Sequence, residues 1–225
     1  MKILVIAAHP DDEVLGCGGT IARLAKENQV YIAILGEGVT SRYAQREQAD
    51  PSIVQALRAR SRQVAELLGA QDLSMYNLPD NRFDTVPLLD IVKIIEELVA
   101  RLAPQVIYTH HGGDLNIDHV CVHRATLTAT RPMTRDAVKT IYAYEVASST
   151  EWAFQKLSPM FQPNVFVDIS DTLELKLRAM RLYESEARPF PHPRSPLALQ
   201  AVAQRWGSVA GLEAAEAFEL VRDIR

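Results

Sequence analysis

The sequence predicts an α/β fold in which a mostly parallel sheet lies between two layers of helices. Two observations support this. Over the first 130 residues, short runs of apolar and branched residues alternate with longer segments whose apolar residues recur at helical spacing. Glycine, proline or polar residues end most of the short runs, as is typical of buried strands. A βαβα rhythm of this kind indicates a Rossmann-like, three-layer αβα domain.

The elements of this first part can be justified in chain order. Residues 3–8 are a brief, branched apolar run ended by His9-Pro10, and residues 30–35 are a second run ended by Gly36. Further strands are predicted at 73–78 and 105–110. Helices are predicted at 13–28, at 51–68 before Gly69, at 86–102 before Pro104, and at 118–130 with Asp118 as N-cap.

The last third of the chain is less regular. Strands are predicted at 140–146 and 165–169, a helix at 171–183 with Asp171 as N-cap, and a helical region at 198–221 broken near 207–211. Residues 188–196 hold four of the 12 prolines and should form a stiff, extended strap. We therefore expect a single domain over 1–225, with a Rossmann-like core at 1–130 and an irregular C-terminal extension at 131–225 that completes the pocket.

Composition excludes several classes of protein. The formal net charge is −4 and the pI is about 5.9, so we expect no binding to nucleic acid. Two cysteines, Cys17 and Cys121, cannot form a disulfide framework and should be small buried helix residues. Only six apolar residues follow Lys2, too few for a signal peptide or a membrane span. A cytoplasmic protein is expected, and a homo-oligomer is left open.

Two segments carry candidate chemistry. His9-Pro10-Asp11-Asp12-Glu13 follows the first predicted strand, and residues 110–119, which end in Asp118-His119, follow the fourth. Taken separately, the first resembles a helix start and the second a capped surface loop. In a doubly wound sheet, however, strands 1 and 4 can be neighbours at the switch point, so that both loops face one crevice.

The combined inventory of these loops suits a metal. Two histidines and one aspartate form a three-ligand set for catalytic zinc with an open position for water. A carboxylate that does not bind the metal can act as general base on that water. Adjacent Asp11 and Asp12 suit this division, with one on the metal and the other on the water.

These motifs resemble the LmbE-like/PIG-L family of zinc-dependent N-acetylglucosaminyl deacetylases. The resemblance includes Ala8 to Glu13, Asp118-His119, residues 16–20, 36–42 and 78–84, and two blocks near the C-terminal end. It implies one zinc ion per chain, with another divalent metal left open, and a small amino-sugar substrate. The residues that it implies are His9, Asp12 and His119 as ligands, Asp11 as general base, Asp118 as an active-site carboxylate, Glu13 as support, and Arg42 and Asp80 for sugar binding.

One position departs from the family pattern. Many members carry a histidine three residues before the ligand histidine, where it helps stabilise the oxyanion, and this chain has Asn116 there. Asn can donate a hydrogen bond but supplies no proton, so the role can be shared or can pass to His110, His111 or His192. In the strap, His192 can lie near the zinc and Arg194 can hold an anionic part of the substrate. Arg82 is a further candidate for substrate binding.

The predicted reaction is therefore hydrolysis of the N-acetyl amide to acetate and an amino sugar. Three alternatives remain from the sequence. One is a metal-dependent sugar-binding protein without catalysis, and another is a deacylase acting on a non-sugar amide. The third is a phospho-acceptor receiver domain, which is about half this length and gives His9 and His119 no role.

Overall fold

The structure is a computed structural model that describes residues 1–133 and 138–225. Its strands are β1 (Lys2–Ala7), β2 (Gln29–Gly36), β3 (Asp72–Leu78), β4 (Val106–His110), β5 (Thr140–Tyr144), β6 (Val165–Asp168) and β7 (Ala215–Asp223). Its α-helices are α1 (Asp12–Leu24), α2 (Pro51–Leu67), α3 (Leu88–Leu102), α4 (Ile117–Ala129), α5 (Leu173–Leu182) and α6 (Pro196–Ala210). None of the helices in this described part of the chain has the length and apolar character needed to cross a bilayer.

The strands form one sheet in the order β3-β2-β1-β4-β5-β7-β6. Neighbouring strands from β3 to β5 are parallel, and β7 runs antiparallel to both β5 and β6. The chain builds the sheet outward from β1 to β3 and then returns to place β4 on the other side of β1. This is the predicted switch point, and the loops after β1 and β4 leave the sheet side by side.

Alternate residues of β1 explain the three layers. Ile3 and Val5 pack in one apolar cluster with residues of α1, α2 and α5, whereas Leu4 and Ile6 pack in a second cluster with residues of α3 and α4. Successive side chains of a strand point to opposite faces, so a strand covered by helices on both sides must be apolar throughout. The predicted Rossmann-like αβα class is confirmed.

A buried ion pair between β7 and α5 holds helix α1 in place. Glu216 of β7 accepts hydrogen bonds from the backbone N–H groups of Gly19 (3.0 Å) and Thr20 (2.7 Å). Lys176 of α5 donates to Glu216 (2.6 Å) and to the Leu15 carbonyl (2.8 Å), which a regular helix would pair with Gly19 N–H. Lys176 and Glu216 therefore bind backbone groups of α1 in place of a regular helical hydrogen bond. These contacts hold in position the helix that begins at the candidate site.

The prediction of a helical region over 198–221 is wrong in its second half. Helix α6 ends at Ala210, where Gly211 adopts a left-handed conformation (φ 73°), and the following segment is strand β7. Its Ala-Glu-Ala-Phe-Glu sequence favours a helix locally. Pairing with β5 on one side and β6 on the other outweighs that preference, because tertiary context overrides propensity.

Several helix boundaries also differ from the predictions, and those nearest the candidate site or the sheet are the following. The N-cap of α4 is Asn116 rather than Asp118, since the Asn116 side chain accepts a hydrogen bond from Asp118 N–H at 2.9 Å. Thr172 rather than Asp171 precedes α5. Helix α1 ends at Leu24 instead of continuing to residue 28.

The predicted irregular extension contributes β5, β6 and β7 to the same sheet. The prediction that the strap is extended is wrong, because residues 190–195 form turns and bends in which His192 N–H bonds the Pro189 carbonyl at 3.1 Å and Ser195 N–H bonds the His192 carbonyl at 2.9 Å.

Candidate active site

The loop after β1 places two adjacent aspartates in different surroundings. Asp12 opens α1, and its Oδ2 accepts a hydrogen bond from His9 N–H at 2.8 Å. Asp11 precedes it with φ 108°, a left-handed conformation that is uncommon for a residue with a side chain. The Asp11 side chain makes no capping bond to the helix and lines the cavity instead. The interpretation of the acids as a simple helix start therefore does not describe Asp11.

Glu13 stabilises the left-handed backbone conformation of Asp11. Its Oε2 accepts the Asp11 N–H at 3.1 Å, and its Oε1 accepts the Tyr183 hydroxyl at 2.6 Å. Burial raises the pKa of Glu13 to about 7, although these donors act in the opposite direction. Backbone strain at a site persists when the surroundings over-determine it, and Glu13 is one of the groups that do so.

The loop after β4 brings His119 to the same point. Asn116 caps α4, and His119 lies in the first turn of that helix. The His119 Nε2 atom is 3.3 Å from Asp12 Oδ2, and its Nδ1 atom is 3.2 Å from Asp114 Oδ1. The His110 ring stacks on the His119 ring with centroids 4.0 Å apart, and its Nε2 accepts the Ala8 N–H at 2.8 Å.

Three of these side chains form a donor set that fits a divalent metal. Asp12 Oδ2 lies 3.3 Å from His9 Nδ1 and 3.3 Å from His119 Nε2. Two donors about 2.0–2.1 Å from a tetrahedral zinc ion would stand roughly 3.3 Å apart. Among the described residues, neither buried ring nitrogen of His119 makes a hydrogen bond, and its Nε2 faces Asp12. A buried polar atom without a partner beside a carboxylate and a second imidazole is consistent with metal binding.

Carboxylates also lie on the far side of each imidazole, bonded to His9 and near His119. Asp118 Oδ2 lies 2.8 Å from His9 Nε2, and Asp80 Oδ1 lies 3.4 Å from the same atom. Asp114 stands in the corresponding place behind His119. A carboxylate on the second ring nitrogen fixes the orientation of a ligating histidine and increases its basicity.

The electrostatics of the cluster favour added positive charge. Burial acts to lower the pKa of His119, but Asp12 and Asp114 outweigh it and raise that pKa to about 9. Burial likewise opposes charge on Asp12, yet the neighbouring His119 and His9 hold its pKa well below the usual range. Burial dominates at His110 and keeps its pKa well below normal, so that ring is neutral. These carboxylates stabilise the protonated imidazoles. In the presence of a divalent cation, the same negative charges would stabilise the cation instead.

Asp11 is the one carboxylate of this loop that stays outside the donor set and faces the cavity. Burial raises its pKa well above the usual range, while the positive charge of Arg194 opposes the shift. The Arg194 guanidinium donates to Asp11 Oδ2 at 2.6 Å. The side chain that the sequence assigned to an anionic part of the substrate therefore pairs with the predicted general base.

Most of the sequence-predicted residues share one cavity of about 320 Å³. Those that line it are His9, Asp11, Arg42, Asp80, Asn116, His119, His192 and Arg194. Asp12 and Asp118 are buried at its base. Arg82 is exposed and is not among the lining residues. His111 is directed elsewhere, with Nδ1 2.8 Å from Glu219 and Nε2 2.9 Å from the Pro159 carbonyl.

Sequence reasoning missed two carboxylates and one aromatic face. Asp114 lies in the loop after β4, so its position was the available signal, but its contact with His119 depends on the path of that loop. Glu186 binds Arg42 through two contacts of 2.6 and 2.7 Å and gave no signal beyond its charge. Trp152 is 39% exposed and lines the cavity beside His192, with ring centroids 5.6 Å apart.

The sequence matches a known family model and is similar to proteins named as deacetylases. Residues 4–130 match the family model PIG-L, GlcNAc-PI de-N-acetylase. The uncharacterized deacetylase YaiS of Escherichia coli K12 is 29% identical over 193 residues, covering 81% of this chain and 90% of that protein. The diacetylchitobiose deacetylase of Thermococcus kodakarensis is 26% identical over 234 residues, covering 99% of this chain and 84% of that protein.

A solved structure shares the fold but carries a different activity in its name. The 4-carboxy-2-hydroxymuconate hydratase GalB of Pseudomonas putida KT2440 superposes with a TM-score of 0.78 at 20% identity, covering 100% of this chain and 97% of that one. The likeness shows the fold alone, because one fold can host several reactions. The family match spans more than half of the sequence and includes both loops of the site, and the chain therefore belongs to the PIG-L family.

Proposed function

We propose that this chain is a zinc-dependent hydrolase that removes the N-acetyl group from an N-acetylglucosamine-type amino sugar or its conjugate. The observation that carries the proposal is the buried donor set of His9, Asp12 and His119 beside the carboxylate of Asp11, which lies outside that set and lines the cavity. Membership of the PIG-L family and the deacetylase names of the two relatives support the substrate class.

The three donors would hold the metal, and outer carboxylates would orient them. Zinc bound there would supply a water of lowered pKa and polarise the carbonyl oxygen of the acetyl group. Asp118 and Asp114 would keep His9 and His119 in the tautomer that leaves the inner nitrogen free for the metal.

Asp11 would transfer a proton from the attacking water to the leaving amine. Its carboxylate would accept a proton from the water that attacks the acetyl carbon, and it would then deliver that proton to the leaving amine. The C–N bond breaks, and the products are acetate and the free amino sugar. Adjacent Asp11 and Asp12 thus divide the work as the sequence suggested, because the backbone turn at Asp11 points the two side chains to different partners.

Asn116 and His192 would donate hydrogen bonds to the oxyanion. The Asn116 carbonyl oxygen caps α4 and one of its Nδ2 protons bonds Asn81 at 3.0 Å, which leaves the second proton for the cavity. His192 Nδ1 accepts the Arg194 N–H at 3.2 Å, so the neutral ring carries its proton on Nε2. Burial and nearby Arg194 lower the pKa of His192 and favour this neutral form.

The wall of the cavity would bind the sugar. Asp80 and Arg42 offer hydrogen-bonding groups, and the exposed face of Trp152 can pack against a sugar ring. Arg82 has no place in this proposal because it lies outside the cavity.

We expect Asp118→Asn to weaken zinc affinity by about 10- to 100-fold. The carboxylate holds His9 Nε2 with one oxygen and accepts the Phe83 N–H with the other at 2.9 Å. An amide in this place can accept only one of these two hydrogens. Competition with a chromogenic chelator measures the affinity, and exposed Asp90→Asn serves as control. Equal zinc affinity in the Asp118 variant and the wild type would contradict the assigned role.

A deacetylation panel tests the proposed function itself. The purified, metal-analysed protein is assayed for amine and acetate release from N-acetylglucosamine, its disaccharide, a phosphorylated form and a nucleotide-linked form, together with a non-sugar N-acetyl amide. We expect equimolar amine and acetate from at least one sugar, loss of activity after chelation and recovery with zinc. Sugar binding without release would favour the non-catalytic alternative, and release from the non-sugar amide alone would favour a general deacylase.

A further inference from the structure

The strap, residues 188–196, contributes one side chain that reaches the base of the cavity. The Arg194 guanidinium donates to Asp11 Oδ2 at 2.6 Å, across 183 positions of sequence. The side chain of Arg194 is 23% exposed and that of Asp11 is 2% exposed. Surface arginines such as Arg181, whose side chain is 52% exposed, make pairs that water screens, whereas this pair is largely removed from solvent.

The guanidinium is itself held from other directions. Its Nε donates to Ser148 Oγ at 2.7 Å, and its Nη1 lies 3.5 Å from Glu186 Oε2. Glu186 is anchored in turn by Arg42. Immediately after Arg194, the Ser195 side chain caps α6 by accepting the Ala198 N–H at 3.1 Å. Both ends of the Arg194 side chain are therefore fixed before any substrate arrives.

Asp11 is constrained from the opposite side. Its backbone adopts φ 108°, and Glu13 accepts its N–H. The backbone contact sets the direction of the side chain, and Arg194 engages one carboxylate oxygen. Among the described residues, Asp11 Oδ1 takes part in no hydrogen bond, so one oxygen is bound and the other is available.

We propose that Arg194 is a positioning residue that holds Asp11 Oδ2 so that Oδ1 alone faces the reacting water. This inference rests on the proposed function, in which Asp11 is the general base. It replaces the expectation that Arg194 binds an anionic part of the substrate. It also gives the strap a role, since the prolines stiffen the segment that delivers the guanidinium.

The expected effect follows from geometry. Without Arg194, the Asp11 carboxylate can rotate, and a misplacement of about 1 Å can cost about 10²-fold in rate. The kcat of Arg194→Gln should therefore fall by about 10²-fold, while KM and zinc content stay unchanged. Lysine keeps the charge but lacks the planar fork that contacts Ser148 and Asp11 together, so Arg194→Lys should recover only part of kcat.

The experiment compares Arg194→Gln, Arg194→Lys and Arg194→Ala with Arg181→Gln, an exposed control on α5. Each variant is measured for kcat, KM, zinc content and melting temperature, and guanidinium ion is added to the alanine variant. We expect saturable recovery of kcat by guanidinium, and no recovery in Asp11→Asn. A rise in KM with unchanged kcat would overturn the proposal, because it would place Arg194 on the substrate. If Arg194→Gln does not fold, the proposal is tested by the kcat of Arg194→Lys and by the recovery of kcat that guanidinium gives in Arg194→Ala.

A second measurement does not depend on activity. Urea unfolding of the metal-free wild type, Arg194→Gln, Asp11→Asn and the double variant forms a double-mutant cycle. We expect the two substitutions to be non-additive, and additive effects would overturn the contact on which the proposal rests. Full activity of Asp11→Asn alone would instead refute the general base of the proposed function, which keeps the two failures distinct.

Discussion

Asp11→Asn is expected to lower kcat by about 10²- to 10⁴-fold, the contribution typical of a general base, while the protein keeps its zinc. The amide has the shape of the carboxylate but cannot accept the proton. Asparagine also tolerates the left-handed backbone conformation at this position, so the turn that separates residue 11 from Asp12 should persist.

The measurement is steady-state acetate release with zinc content determined on the same sample. Exposed Asp84→Asn, on the short turn beside the cavity, is the matched control and should retain full activity. A fully active, zinc-loaded Asp11→Asn protein would show that another group takes the proton.

His119→Ala is expected to abolish activity by removing bound zinc. The substitution deletes one of three donors and leaves Asp12 facing only His9 in the donor set. It also leaves Asp114, whose pKa His119 and two hydroxyl groups lower to about 2 against the effect of burial, as a buried carboxylate without its imidazole. The loss of zinc affinity should exceed the 10- to 100-fold expected for an outer partner such as Asp118.

Metal analysis after dialysis checks this result, and His123→Ala is the control. His123 lies on the same helix one turn further along, contacts the His110 carbonyl at 2.8 Å and does not line the cavity. Stoichiometric zinc in the His119 variant would exclude it as a ligand.

Much of the fold followed from periodicity and order along the chain. The alternation of apolar runs with segments of helical spacing was enough to predict β1, β4 and the helices that follow them. The place of His9 and Asp12 followed because strands 1 and 4 flank the switch point. Local signals failed where tertiary pairing decided the outcome, as in β7, whose alanine and glutamate residues favour a helix until two strands bind it on either side.

The contacts that shape the site were less accessible from sequence. Asp114 behind His119 and Arg194 against Asp11 depend on loop paths, and no periodicity records where a loop travels. The contact between Arg194 and Asp11 was not predicted for the same reason. A loop arginine in a pocket suggests an anionic ligand, whereas the structure places a carboxylate of the same chain within hydrogen-bond distance.

The position of β7 in the sheet has a consequence for biosynthesis. β6 lies at the edge of the sheet and pairs with β7, which the ribosome makes after every other described strand. β6 therefore cannot pair with β7, and Lys176 cannot bind Glu216, until β7 has been made. The loops that carry His9 and His119 are made before β7, the strand that anchors α1. Assembly of the catalytic centre is thus coupled to synthesis of β7, so a nascent chain should acquire its active geometry only after β7 has emerged.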